Sequence, residues 1–174
     1  MDLAVSNLIR IIPDFPKPGI IFKDITPLLA DSEAFESCCK EFSKLAASVD
    51  YIAGIEARGF IFGAAVAAFS GKGFIPIRKS GKLPGATLSV NYDLEYGTAS
   101  LEIHENLIPH NSKVLIIDDV LATGGTACAA IELILMAGLQ PVSTAFLLEI
   151  PDLGGKSRIA RTHSQIQIHT LLAQ

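Results

Sequence analysis

Two adjacent carboxylates, Asp118 and Asp119, follow the apolar run 114–117 and precede Ala122, Thr123, Gly124, Gly125 and Thr126. An unbroken apolar run suits a strand buried on both faces, as in a parallel sheet. The Gly- and Thr-rich turn leads into a helical run, residues 127–137. Such a turn aims free backbone N–H groups and the positive end of a helix dipole at an anion. Carboxylates beside an anion cradle suit a ligand that also carries hydroxyls or a metal ion. The spacing therefore points to a sugar phosphate at the edge where open α/β sheets hold ligands.

Other groups capable of chemistry form no comparable pattern. Gly155-Lys156-Ser157 looks like a P-loop ending, but Ile150 stands where its first Gly belongs. No Gly-x-Gly-x-x-Gly follows a strand. His104, His110, His163 and His169 lack metal-ligand spacing and read as structural or surface residues. Cys38, Cys39 and Cys128 give neither a disulfide framework nor a zinc motif, which fits a reducing compartment.

The elements around these residues define the class. At 174 residues, half hydrophobic and 18% charged, the chain fits one globular domain with a real core. A net charge of −4 argues against charge-driven nucleic-acid binding. The start, Met1-Asp2-Leu3, has no basic region leading into an apolar stretch, and no apolar run reaches the length of a membrane helix. No membrane association and a cytoplasmic location are expected.

Residues 1–12 read as a short amphipathic helix stopping before Pro13. Residues 13–30 hold Pro13, Pro16, Pro18 and Pro27, and read as an irregular but packed cover. Asp31 or Ser32 caps a helix running to Ala47. Residues 51–55 form a strand, 56–59 a turn, 60–69 a buried helix and 74–77 a strand, which requires a parallel crossover. A mobile polar loop is expected over 78–90, and a hairpin from 88–92 and 99–104. Gly138 closes the helix after the acid pair. Residues 142–150 form a long strand, 153–161 a linker and 166–172 a short strand. The fold class is α/β: a doubly wound, mostly parallel sheet flanked by helices, with an N-terminal hood over about residues 1–30 and a flexible loop over about 78–100.

The stretch 114–126 closely resembles the phosphoribosyl-pyrophosphate (PRPP) motif of type I phosphoribosyltransferases: apolar strand, two acids, then Ala-Thr-Gly-Gly-Thr. Residues 14–26, Asp-Phe-Pro-Lys-Pro-Gly-Ile-Ile-Phe-Lys-Asp-Ile-Thr, look like the hood of the adenine phosphoribosyltransferases. Glu56-Ala57-Arg58-Gly59-Phe60, the segments 78–85 and 92–97, and Asp152-Leu153-Gly154-Gly155 are similar to that family's remaining signatures, in the right order.

The resemblance implies transfer of ribose 5-phosphate from PRPP to adenine N9, giving AMP and pyrophosphate. It implies Mg²⁺ carried mainly by PRPP, a cation-like ribose C1 in the transition state, and a homodimer. Backbone N–H groups of Ala122, Thr123, Gly124, Gly125 and Thr126 would cradle the 5′-phosphate. Asp118 and Asp119 would hold the ribose hydroxyls. Glu56, Ala57 and Arg58 would form the pyrophosphate turn, with Arg78, Lys79 and Lys82 neutralising that group across a dimer interface, as the family does. Glu95 is the family's candidate for proton transfer at the purine N7. Phe22 would stack on adenine while main-chain groups of Ile21 and Lys23 read its edge. Lys23 departs from the Arg that family members often carry, and Lys lacks the planar fork. Two other classes remain open: a PRPP-binding regulatory protein without catalysis, and a phosphoribosyltransferase for another base. The regulator would need a nucleic-acid-binding module, and the hood favours adenine over xanthine or orotate.

Overall fold

The apolar run that carries the acid pair lies in the interior of the sheet. In a computed structural model describing residues 3–94 and 97–173, the elements in chain order are α1 (Leu3–Ser6), β1 (Arg10–Pro13), β2 (Ile21–Asp24), α2 (Thr26–Ala30), α3 (Ser32–Ser43), β3 (Tyr51–Ile55), α4 (Arg58–Ser70), β4 (Gly73–Lys79), β5 (Thr87–Leu94), β6 (Gly97–His104), β7 (Lys113–Leu121), α5 (Gly125–Met136), β8 (Gln140–Glu149), α6 (Gly155–Thr162) and β9 (Gln167–Ala173). The large sheet runs β5-β6-β4-β3-β7-β8-β9. β4, β3, β7, β8 and β9 are parallel, while the β5–β6 hairpin adds antiparallel strands at one edge.

Each face of β7 feeds a different core. Leu115 and Ile117 pack with Phe42 of α3 and with Phe62 and Val66 of α4. Val114 and Ile116 pack with Ile131 and Ile134 of α5. Period-two alternation within a fully apolar run thus gives two cores, one on each side of the sheet. The chain winds from β3 outward to β4, then returns to place β7 on the other side of β3. The C-terminal ends of β3 and β7 therefore flank a topological switch point, where α/β sheets open a crevice.

Most expected elements are present, with local corrections. Asp31 caps α3, its Oδ1 accepting from Ala34 N at 2.9 Å. The last stretch of that helix, Lys44–Ser48, tightens to 3₁₀ geometry. The N-terminal helix is only Leu3–Ser6, because Ile11 and Ile12 pair instead with Lys23 and Phe22 across an antiparallel ribbon, β1–β2. The hood is thus partly regular, and α2 follows it with Pro27 in its first turn. The 78–90 loop narrows to residues 80–86, since β4 runs on to Lys79 and β5 begins at Thr87. The 153–161 linker is instead a 3₁₀ turn, Pro151–Leu153, followed by α6, which Ile159 anchors in the core. β7 also extends past the acid pair to Leu121, pairing with β8 throughout.

Candidate active site

Glycine sets how closely the crevice walls approach. A Cβ on Gly59 would meet Ile117 O at 2.7 Å and Asp118 Oδ1 at 2.8 Å. The first turn of α4 can therefore press directly on β7 beside the acids. Arg58, one residue earlier, crosses the crevice. Its Nε lies 2.9 Å from Asp119 Oδ2. Its second arm donates to Lys23 O at 3.2 Å. Its guanidinium carbon sits 4.9 Å from the Phe22 ring centroid, within cation–π range. Phe15 supports Phe22 edge-on, with centroids 5.1 Å apart. One side chain thus joins the hood to the sheet.

The acid pair is electrostatically loaded. Asp119 is buried, and Asp118 is half-buried on the crevice floor. Desolvation raises the Asp118 carboxyl well above the usual range, and the charge of Asp119 raises it further. Burial also raises Asp119, while Arg58 pulls it back. Asp118 Oδ1 accepts from Asp119 N at 2.9 Å. Such a pair gains from a ligand that brings hydroxyl donors or positive charge.

Glu56 and Ala57, joined by a cis peptide bond, make the turn between β3 and α4. Glu56 accepts from Arg78 through both carboxylate oxygens, at 3.2 and 3.3 Å, and from Lys79 N at 2.9 Å. The Arg78 hydrogen bonds hold its carboxyl below the usual range, with the Lys79 N–H assisting. Arg78 also donates to Lys82 O at 2.9 Å, fixing the start of the basic loop.

Behind the acids, Gly124 at φ +79° turns the chain into α5. Asp118, Ala122, Thr123, Gly124, Gly125 and Thr126 line a recess of about 70 Å³ at the N-terminus of that helix. A wider open cleft of about 670 Å³ joins this end to the hood, lined by Phe22, Glu56, Ala57, Arg58, Lys79, Asp118, Asp119, Ala122 and Thr126.

Most of the site residues expected from sequence therefore meet in one crevice. The Ile21 and Lys23 side chains do not. Ile21 and Lys23 line a separate depression with Ile150 and Leu153, while Lys23 O accepts from Arg58 on the crevice side. Arg78 faces Glu56, and Lys82 is exposed on the loop. Glu95 lies outside the described residues. Sequence reading missed Tyr92, Ala99 and Val120 as crevice walls. Of these, Val120 was within reach, because it sits between the acids and the glycine turn. It also missed the Arg10–Asp24 ion pair and the Asp24–Thr26 bonds that brace the hood. No helix among the described residues is long and apolar enough to cross a membrane.

Comparison with known proteins places this crevice in context. The family model described as a phosphoribosyl transferase domain matches residues 31–168. An adenine phosphoribosyltransferase of Parvibaculum lavamentivorans is 52% identical, over 90% of this chain and 91% of its own. The crystal structure of the adenine phosphoribosyltransferase of Thermoanaerobacter pseudethanolicus is 45% identical and superposes with a TM-score of 0.92, covering 98% of each chain. That of Saccharomyces cerevisiae, complexed with an imino-altritol bisphosphate and adenine, is 37% identical with a TM-score of 0.89 over 97% of each chain. Matched by that family model over most of its length and by these relatives over nine-tenths or more, the chain belongs to the adenine phosphoribosyltransferase family of phosphoribosyl transferases.

Proposed function

We propose that this chain transfers the ribose 5-phosphate group of PRPP to N9 of adenine: the bond from ribose C1 to pyrophosphate breaks, the C1–N9 bond forms, and AMP and pyrophosphate leave. The observation that carries this reading is the continuous cleft running from Phe22, past Arg58 and the acid pair, to the Ala122–Thr126 end. Adenine stacks on Phe22, and main-chain groups of Ile21 and Lys23 read its edge. Backbone N–H groups at Ala122, Thr123, Gly124, Gly125 and Thr126 hold the 5′-phosphate, the helix dipole of α5 assisting. Asp118 and Asp119 accept from the ribose hydroxyls, and their charge favours a cation-like C1. Arg58 and Lys79 face the departing pyrophosphate, on the turn that Glu56 and Ala57 build. Arg78 orders that turn through Glu56, and Lys82 reaches the pyrophosphate when the loop closes, excluding water. Glu95 is assigned the proton transfer at the purine.

Mg²⁺ fits this site as a passenger on PRPP. Among the described residues, no group of three or more His, Cys, Asp or Glu could hold a metal. Mg²⁺ commonly keeps several waters and uses one or two carboxylates plus substrate phosphates. Asp118 and Asp119 are the carboxylates available, and the bound ion would neutralise pyrophosphate charge.

Incubation with PRPP, Mg²⁺ and a panel of bases tests the assignment. AMP should form from adenine far faster than products form from hypoxanthine or guanine. Tight PRPP binding without product from any base would instead identify a regulatory protein. A homodimer is also proposed, since α4 presents Ile61, Ala64, Ala68 and Phe69 to solvent on one side. A helix apolar all round is one that something covers. Sedimentation velocity should give twice the chain mass, and Phe69→Glu should shift it toward the monomer. A wild-type monomer with full activity would remove the dimer from the mechanism. The three cysteines are free and buried, which suits the cytoplasm as the working compartment.

A further inference from the structure

We propose that Gly155, remote in sequence from the motif, is a positioning residue that sets the shape of the phosphate loop; this rests on the phosphate-loop assignment above. The first residue of α6 lies directly behind that loop. A Cβ on Gly155 would run into Ala122 O and come within 3.0 Å of Gly124 N. A Cβ on Gly124 would meet Gly155 O at 2.8 Å and Gly155 Cα at 3.0 Å. Apart from Leu121 Cδ1, 2.9 Å from the Gly155 Cβ, the contact is backbone against backbone, and only the glycine pair allows it.

The helix cannot back away. Ile159 is fully buried, and Thr162 Oγ1 lies 3.4 Å from Cys128 Sγ of α5. A methyl group at residue 155 must therefore displace the Ala122–Gly124 backbone rather than α6. Those N–H groups are the ones aimed at the 5′-phosphate, so the cost falls on ligands that carry it. Adenine, held by the hood, is spared.

Isothermal titration of wild type and Gly155→Ala with AMP and with adenine separates these outcomes. The expected result is at least a tenfold loss of AMP affinity, with adenine affinity within twofold of wild type. Gly154→Ala is the control: unlike Gly155 that residue is left-handed, at φ +68°, so alanine there adds backbone strain, but its Cβ would meet nothing within 4 Å. It should keep AMP affinity. Gly155→Ala binding AMP as tightly as wild type, or losing both ligands equally, would overturn the proposal. Should that variant not fold, Ile159→Val decides, because it lets α6 shift on the loop. At least a threefold AMP loss with adenine unchanged supports the proposal, and unchanged AMP affinity overturns it. Wild-type protein that binds neither ligand would instead remove the functional reading beneath the proposal, and the proposal with it.

Discussion

Arg58→Ala is expected to lower kcat/KM for PRPP by about a hundredfold or more. The arginine does three jobs at once in the crevice: it pairs with Asp119, donates to Lys23 O and covers the Phe22 ring. Removing one partner of a buried ion pair typically costs about 3–5 kcal/mol. The Arg58 side chain is 36% exposed, so screening brings the effect toward the lower end. About 2.7 kcal/mol is already a hundredfold in rate. Without the guanidinium, the Asp119 carboxyl loses the charge that holds it down and rises further. In the proposed reaction the acid pair then holds its charge less readily beside a cation-like ribose, and the departing pyrophosphate loses a facing cation. Arg58→Lys should recover part of the loss, since it keeps the charge but lacks the fork and the stacking plane. Steady-state kinetics with both substrates varied checks this. An alanine variant within fivefold of wild type would show that Arg58 only props the hood.

The partnership that drives this prediction was not legible in the sequence. Residues 114–126 announced a strand, an acid pair and an anion-binding turn, because local periodicity and glycine chemistry are local properties. Arg58 was legible as part of a turn, but its pairing with Asp119 depends on β3 and β7 becoming neighbours across the switch point. The same holds for Glu56. Sequence reading assigned it to the turn expected to receive pyrophosphate, but could not show that Arg78 and Lys79 N hold its carboxylate. Its contribution is to shape that turn.

Where the elements differ from expectation, tertiary pairing won over local pattern. Ile12 kept a helical spacing with Leu8 and Ile9, but the β-branched Ile11 and Ile12 pair with β2 instead. The 153–161 segment looked like a linker because Gly154-Gly155 breaks periodicity and one apolar residue, Ile159, anchors the helix that follows. Gly155 packs against the backbone of Ala122 and Gly124, a reason visible only in three dimensions.

Asp118→Asn should give the opposite signs for stability and activity. Burial and the neighbouring Asp119 charge push the Asp118 pKa up in the folded state. A carboxyl raised on folding stabilises the fold below its unfolded pKa and loses that contribution as pH rises through the folded one. At neutral pH, well above the unfolded pKa, the ligand-free protein therefore carries a penalty at this carboxyl that it does not carry in acid. Asparagine keeps the shape and can keep the acceptor that meets Asp119 N at 2.9 Å. Each pKa unit removed is worth about 1.4 kcal/mol, and about 1 kcal/mol moves Tm by roughly 2–4 °C in a chain of this size. The variant should thus melt a few degrees higher at neutral pH, with the gap closing toward pH 4. Its kcat/KM should fall by about tenfold to a hundredfold, since the proposed contact to the ribose would lose a charged hydrogen bond of about 1.5–3 kcal/mol. Saturating PRPP and Mg²⁺ should narrow or reverse the difference in melting temperature, because the ligand stabilises the wild-type carboxylate more. Thermal melts from pH 4 to 8, with and without ligand, read all three effects. A lower Tm for the ligand-free variant at neutral pH would mean that the acid pair supports the fold, and that its burial is not the cost at which this site holds a cation-like sugar.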